Sequence, residues 1–288
     1  MGENGYAFRA ALVTLTSGRD VERNIAAAAE LIREAHAEGA LYVQTPENTG
    51  LIDPDIERLR AIAEPEAGHR ALAALSALAP NLGLWLHIGS LVIKRADGSL
   101  ANRSYLIAPD GGVRARYDKI HMFDVNLAGG ESFRESERFR PGQEAVAADL
   151  PWARLGLTIC YDVRFPHLYR ALAQRGAGVL AVPSAFTRQT GGAHWHVLLR
   201  ARAIETGSFV LAAAQAGRHD SGRVTYGHSL IVSPWGEVLA EGGTVPGVTI
   251  ADIDMRAVAS ARGRIPALQG DRAFRLADAA DRPLREAS

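Results

Sequence analysis

The sequence predicts an α/β protein of layered α-β-β-α build, made of two similar halves. Buried-strand patterns alternate with amphipathic helix patterns along the chain, the order that lays helices over parallel strands. Two pieces of the chain look alike. "GALYVQTP" (39–46) and "GAGVLAVP" (176–183) share Gly, Ala and Pro in register, and "LIAPDGGV" (106–113) and "IVSPWGEV" (231–238) share a Pro-x-Gly-x-Val turn. The alternative, one open doubly wound sheet, wants a Gly-rich nucleotide loop after the first strand; "TLTSGRD" has one Gly, and no G-x-x-x-x-G-K-[ST] occurs. Connections between helices and strands reuse Gly and Pro in any case, so related strand orders in the two halves are what decide for a duplication.

In order, "FRAALVTLT" reads as a buried strand and "RDVERNIAAAAELIREAHAEG" as a helix. Asp20 is its N-cap and Gly39 its stop, and Val21, Ile25, Ala28, Ile32 and Ala35 keep helical spacing. "ALYVQTP" is a strand, "GHRALAALSALA" a helix, and "LWLHIGSLVIK" a strand before a hairpin turning at "PDGG". The second half runs strand "LGLTIC", helix "FPHLYRALAQRGA", strand "GVLAVPSAF", helix "GGAHWHVLLRARAIETG" ending at Gly207, strand "FVLAAAQAG" and hairpin "HSLIVSPWGEVLAEGG". "VTIADID" is the last strand.

Composition bounds the function. With 288 residues and 47% hydrophobic content, the chain can build a sizeable core. No Pro/Gly/Ser-rich linker divides it, so a single domain is expected over residues 1–270, with 271–288 a polar, Ala-rich tail or dimer arm. The 32 basic residues balance 32 acidic ones, which gives no support to nucleic-acid binding or a polybasic membrane patch. No apolar run approaches the ~18 residues a bilayer requires. The N-terminus lacks a basic segment ahead of its apolar part, and the single Cys fits the cytoplasm.

In α/β folds, chemistry gathers where strands end. Glu47 ends "LYVQTPE", Cys160 ends "LTIC", and Lys119 follows the second arm of a hairpin in "VRARYDKIHMF". A base, a nucleophile and an oxyanion donor could be built from these types. Singly, each has a plain alternative: a loop carboxylate, a solvated lysine, a small buried hydrophobe. His194 and His196 look like a metal pair, but residues two apart on a helix do not share a face, so no metal is expected there. Asp162 and Arg164 read as a local ion pair fixing the turn, ahead of a role as substrate ligands. Phe123, Tyr161, Phe186 and Trp195 are the aromatic candidates for a substrate pocket.

"PENTG", "YDKIHMFD", "CYDVRFPHL" and "GGAHWHVLLRARAIETGSFVLAAAQAGRH…YGHSLIVSPWGEVLA" together resemble the nitrilase superfamily of carbon–nitrogen hydrolases, in particular its Nit-type amidase branch. The resemblance spans about Phe8 to Leu268 and implies an α-β-β-α sandwich that pairs into homodimers or higher homo-oligomers. It places the superfamily's catalytic Glu on Glu47, its Lys on Lys119, its Cys on Cys160 and a second Glu on Glu135. It implies hydrolysis of a small linear amide through a Cys thioester, with release of ammonia, and no cofactor. The sequence departs at His167, where relatives commonly carry Glu; a packing change without loss of chemistry is expected there. The segment after Cys160 starts a helix, whose N-terminal amides are expected to favour a thiolate and an oxyanion. Nitrile, N-carbamoyl and acyl-transfer chemistry use the same residue types. A silent partner-binding protein is the non-enzyme alternative, although all three residue types are present. A redox sensor would want a resolving Cys.

Overall fold

The computed structural model describes residues 3–278; the remainder of the tail, 279–288, lies outside the described residues. The first half runs β1 (Ala7–Thr14), α1 (Val21–Ala37), β2 (Tyr42–Gln44), α2 (Ile56–Ile62), β3 (Glu64–Pro65), α3 (Arg70–Ser76), α4 (Leu78–Leu82), β4 (Trp85–Lys94), β5 (Leu100–Ile107) and β6 (Val113–Asp118). A small hairpin, β7 (Asp124–Asn126) and β8 (Ser132–Arg134), leads to the second half. That half runs β9 (Val146–Asp149), β10 (Arg154–Leu157), α5 (Pro166–Gln174), β11 (Val179–Ala181), α6 (Arg188–Thr206) and β12 (Phe209–Ala212). The hairpin β13 (Ala216–Arg218) and β14 (Val224–Tyr226) follows, then β15 (Leu230–Val232), β16 (Val238–Glu241), β17 (Gly247–Asp254) and α7 (Arg256–Arg264).

The two sheets have one topology. The first has the order β17-β1-β2-β4-β5-β6, the second β9-β10-β11-β12-β15-β16 read from the matching edge. In each, three parallel strands continue into two antiparallel ones, and an antiparallel strand closes the other edge. The two repeated peptides fall on equivalent places, β2 with β11 and the β5–β6 turn with the β15–β16 turn. The related strand orders decide for the duplication.

Period-2 alternation builds the layers. On β1, Ala10 and Leu12 join Tyr42, Leu155, Leu157 and Val210 in a core that both sheets share, while Ala11 and Val13 face a core with α1 and α3. Burying each large side chain there contributes about 1.5–3 kcal/mol. Polar ties also cross: Gln44 Nε2 donates to the Leu211 carbonyl at 3.1 Å, and the Thr14 and Ser229 hydroxyls meet at 2.6 Å. Asp20 caps α1 through the Arg23 amide, and Ala28, Ile32 and Ala35 are buried as their spacing predicts.

Two expected elements differ. The helix over "GHRALAALSALA" is broken into α3 and α4 at Ala77, ahead of Pro80, whose missing N–H and ring disfavour a continuous helix. The strand expected to reach Cys160 ends at Leu157; Cys160 itself has a left-handed backbone (φ 50°), which a strand residue does not take. Just past residue 270, Asp271 accepts from Gln174 Nε2 on α5 at 2.7 Å and pairs with Arg170. From there to residue 278 the chain has no regular element and is exposed.

Candidate active site

Glu47, Lys119 and Cys160 converge at the end of the sandwich where the parallel strands finish. Glu47 follows β2 through Thr45 and Pro46 and is 3% exposed. Gly89 makes this turn possible: a Cβ there would strike the carbonyl oxygens of Thr45 and Pro46, so only Gly lets β4 pass underneath. The next residue, Asn48, takes a left-handed backbone (φ 57°), which Asn tolerates better than most side chains. Gln215, from the second half, donates to the Glu47 carbonyl at 3.0 Å and locks the turn across the sandwich.

Lys119 stands just past β6, its amide donating to the Asn102 carbonyl on β5 at 3.0 Å. Its ammonium donates to Glu47 Oε1 at 2.8 Å and to both oxygens of Glu135 at 2.9 and 2.8 Å. Glu135 begins a short turn after β8 and also accepts from the Phe123 amide at 2.6 Å. Burial alone would lower the pKa of Lys119. The carboxylates of Glu135 and Glu47 outweigh it and hold the ammonium well above its ordinary pKa.

Cys160 opens a five-residue 3₁₀ turn, Cys160–Arg164, and its amide donates to the Pro183 carbonyl at 2.9 Å. Burial, then the Glu47 charge, push its thiol well above the ordinary range, against the pull of Lys119. The turn is a single short one, and burial beside a carboxylate disfavours the thiolate. Glu47 shows the opposite balance. Burial raises it, but Lys119 and a hydrogen bond from Cys160 bring it below the ordinary carboxylate range. The resting pair is therefore a neutral thiol against a carboxylate whose Oε2 also accepts from the Ala185 amide at 2.9 Å.

Around these groups lies an inner chamber of ≈ 70 Å³, joined to an outer cleft of ≈ 790 Å³. Phe123, Tyr161 and Phe186 line the chamber with Glu47, Lys119, Glu135 and Cys160. Trp195 does not. It is 1% exposed, sits behind Phe186 at 4.9 Å, and spends its indole N–H on the His228 carbonyl at 2.7 Å. Of the four aromatic candidates it is the one that packs into the core instead.

Asp162 does fix the turn, but not through Arg164. It accepts from the Ile159 amide at 2.9 Å, the Tyr117 hydroxyl at 2.7 Å, and the His121 amide and ring at 3.0 and 2.7 Å. Arg164 lies over the Tyr161 and Phe186 rings, with a weak contact to His194 at 3.3 Å. His167 is exposed at the start of α5, edge-on to His121 and Phe165.

Sequence reasoning missed Asn102, Arg138 and Arg223. Asn102 Nδ2 bridges Glu47 at 3.0 Å and Glu135 at 3.3 Å. Its mid-strand position in "LANRSYLI" was a signal, since a buried amide on a central strand needs polar partners. The two arginines line both chambers. His196 lies at neither chamber; with His228 and Glu241 it forms a cluster whose donor atoms lie within 4.8 Å of one another, a set able to hold a metal ion. As it stands both rings bond Glu241 Oε1, at 3.0 and 2.8 Å, which satisfies the three groups without one.

A sequence model of the carbon–nitrogen hydrolase family matches residues 9–263. The chain is 42% identical to a deaminated glutathione amidase of Bos taurus over 90% of its own length and 80% of that protein. It is 37% identical to a human omega-amidase, over 92% of this chain and 95% of the relative. Among solved structures it resembles the C. elegans NitFhit protein, with a TM-score of 0.87 and 38% identity, covering 93% of this chain but only 65% of that longer one. It also resembles an amidase of Nesterenkonia, with a TM-score of 0.79 and 27% identity, covering 94% of this chain and 96% of that one. In that structure, of a Glu-to-Gln variant, the acetamide moiety of fluoroacetamide is covalently attached to the active-site cysteine.

Proposed function

The chain belongs to the carbon–nitrogen hydrolase family, and from that premise we propose that Glu47, Lys119 and Cys160 hydrolyse a small linear amide through a thioester. It is an enzyme of the amidase kind, in the nitrilase superfamily's Nit branch. The observation that carries the residue assignment is the geometry: the Lys119 ammonium lies 2.8 Å from Glu47 and 2.8 Å from Glu135, and the Cys160 thiol lines the same chamber.

Glu47 takes the thiol proton as Cys160 Sγ attacks the amide carbon. The oxyanion forms beside the Lys119 ammonium and the Tyr161 amide, which precedes the first bond of the 3₁₀ turn, Asp162 N–H to Ile159 O. Collapse breaks the C–N bond; Glu47 returns its proton to the departing nitrogen, leaving a thioester on Cys160. Water then adds to the thioester with Glu47 as base, and the acid leaves with the thiol restored. Glu135 and Asn102 are positioning residues: they fix the Lys119 ammonium and the Glu47 carboxylate.

The favoured substrate is deaminated glutathione, with an omega-amide as the second candidate. The scissile nitrogen of deaminated glutathione carries a substituent, so an amine departs there, and ammonia departs only from a primary amide. A panel of deaminated glutathione, α-ketoglutaramate, an N-carbamoyl amino acid and a nitrile, assayed for acid, amine and ammonia, tests this. Turnover fastest on deaminated glutathione supports the reading, and no turnover of any member overturns it.

A homodimer or higher homo-oligomer is proposed as well. Val197 and Ile204 on α6, with Trp235 and Leu239 near the β15–β16 turn, are large apolar side chains left exposed. Light scattering at monomer mass would contradict it. No described helix is long and apolar enough to cross a membrane, and a cytoplasmic location is proposed on the single free cysteine.

A further inference from the structure

Outside both chambers, His196 on α6, His228 in the connection between β14 and β15, and Glu241 at the end of β16 bring their ligand atoms within 4.8 Å of one another. None of the three lines the inner chamber or the outer cleft. His196 Nε2 and His228 Nδ1 both donate to Glu241 Oε1, at 3.0 and 2.8 Å, so two rings from separate elements aim at one point. Among the described residues, these rings are the only ion-pair partners of that carboxylate, and no Arg or Lys neutralises it.

Each of the three is held in place. The His228 amide donates to the Gly243 carbonyl at 2.9 Å, and its own carbonyl accepts from the Trp195 indole at 2.7 Å. These bonds fix a residue with a left-handed backbone (φ 57°), a conformation that the surrounding structure has to impose. Glu241 pairs with Leu230 across β15 and β16. The Tyr226 ring packs against both imidazoles, 4.4 Å from His228 and 6.2 Å from His196. Rings set by packing and a backbone set by hydrogen bonds are preorganised ligands.

We propose that His196, His228 and Glu241 form a binding site for a divalent transition-metal ion of the zinc type, which ties α6 to the edge of the second sheet. Two imidazoles and one carboxylate, with a fourth position open to water, suit zinc or cobalt(II); calcium and magnesium want oxygen ligands. Metal–ligand bonds of about 2.0–2.1 Å at the tetrahedral angle set the ligand atoms about 3.3 Å apart. The two N···O separations are 3.0 and 2.8 Å, so they open by about 0.3–0.5 Å to admit the ion. Each neutral ring moves its proton to its other nitrogen as the metal takes the nitrogen that faces Glu241. His194, the other member of the helical pair, turns to Arg164 at 3.3 Å and supplies no ligand. Because α6 also carries Trp195, which backs Phe186, the ion braces the wall behind the inner chamber.

The test uses full-length, tag-free, chelator-treated protein carrying Cys160→Ala, which removes the competing thiol. Zinc titrated by calorimetry should bind as one ion per chain. Losing a group that only supports a ligand costs about 10–100-fold in affinity, so His196→Ala, His228→Asn and Glu241→Gln should each weaken zinc about a hundredfold or more. Asn is chosen at 228 because it tolerates the left-handed backbone. His194→Ala should leave binding unchanged, and magnesium should not compete. Cobalt(II) should give the visible spectrum of an ion with nitrogen and oxygen ligands, without a thiolate charge-transfer band, and Glu241→Gln should abolish it. Zinc should raise the melting temperature of the parent and not that of Glu241→Gln. No zinc binding by the parent overturns the site, as does binding that survives all three ligand substitutions or is lost in His194→Ala. If His228→Asn is unstable, Glu241→Gln, on an exposed side chain, decides.

Discussion

The two halves share a strand order, but the chemistry is not duplicated with it. The parallel pairs set the correspondence: Ala10 faces Tyr42 in the first sheet as Leu155 faces Val179 in the second. Five residues beyond these, Leu15 stands where Cys160 stands, and Ser184 where Glu47 stands. Counting from the equivalent turns, Thr244 stands where Lys119 stands. The counterpart set is a Leu, a Ser and a Thr. Its backbone is sealed by the strand passing through Ala213–Ala216: Ser184 N–H donates to the Ala213 carbonyl at 2.8 Å, and the Leu15 carbonyl accepts from Ala216 at 2.7 Å. Of the counterpart positions, Leu15 and Ser184 are thus ordinary interior and Thr244 is exposed. The other end takes its buried carboxylate and ammonium from the first half and its thiol from the second. A duplicated scaffold supplies two equivalent places, and the burial of charged groups, stable only when they are mutually paired, occurs at one.

The comparison can be broken by exchanging consequences between equivalent positions. Cys160→Ala should lower kcat by about four orders of magnitude or more with little change in melting temperature, as loss of a nucleophile does. Leu15→Ala should do the reverse, leaving the chemistry in place while costing about 2–5 kcal/mol by chemical denaturation, since Leu15 is 2% exposed. Equal losses of activity in the two would break the asymmetry.

Lys119→Met should cost both quantities. Removing an oxyanion donor lowers kcat about 10²–10³-fold, and leaving two carboxylates without their cation costs about 3–5 kcal/mol. Its counterpart Thr244 is exposed, so Thr244→Met should stay within about 0.5 kcal/mol, with activity unaltered.

pH sharpens the same contrast. Glu47 is lowered from 4.5, so its contribution to stability is present above that value and is lost as pH falls through its folded pKa; activity should fall on the same acid limb. Lys119 is raised from 10.5, so its contribution is complete below that pH and fades as pH rises through the folded value. Because the thiol is pushed up, iodoacetamide should modify Cys160 slowly at neutral pH and keep accelerating beyond pH 9. A rate that levels off near pH 7 would mean a thiolate at rest.

The smallest effect separates two substitutions of one residue. Cys160 has φ 50°, so the Gly variant should be more stable than the Ala variant by about 1 kcal/mol in urea unfolding, because Gly carries no left-handed penalty.

Much of this was legible in the sequence, for reasons that differ by residue. The duplication could be read because Gly39 and Gly176, and the turns at Gly111 and Gly236, meet the same backbone demand, a positive φ, in both halves. Glu47, Lys119 and Cys160 were singled out as lying at strand ends or after a hairpin arm, and Glu135 through the resemblance of its motif; the structure brings all four to one chamber. Trp195 could not be placed, since helical spacing says which residues share a face but not whether that face lines a cavity or a core. Arg138 and Arg223 were silent for a related reason. They meet only in the fold, where both line the two chambers, and they are far apart in sequence. Asp162 was read as turn-fixing, but its partners Tyr117 and His121 come from the other sheet and its following loop, which no local pattern connects to it.

The central claim is that Cys160 carries the acyl group while Glu47 runs the protons. Glu47→Gln, mixed with a primary amide and acid-quenched, should show by peptide mass mapping one added acyl mass on the peptide containing Cys160, persisting because the base that activates water is gone. An acyl mass on any other residue would contradict the account, as would continued turnover with Cys160 unmodified.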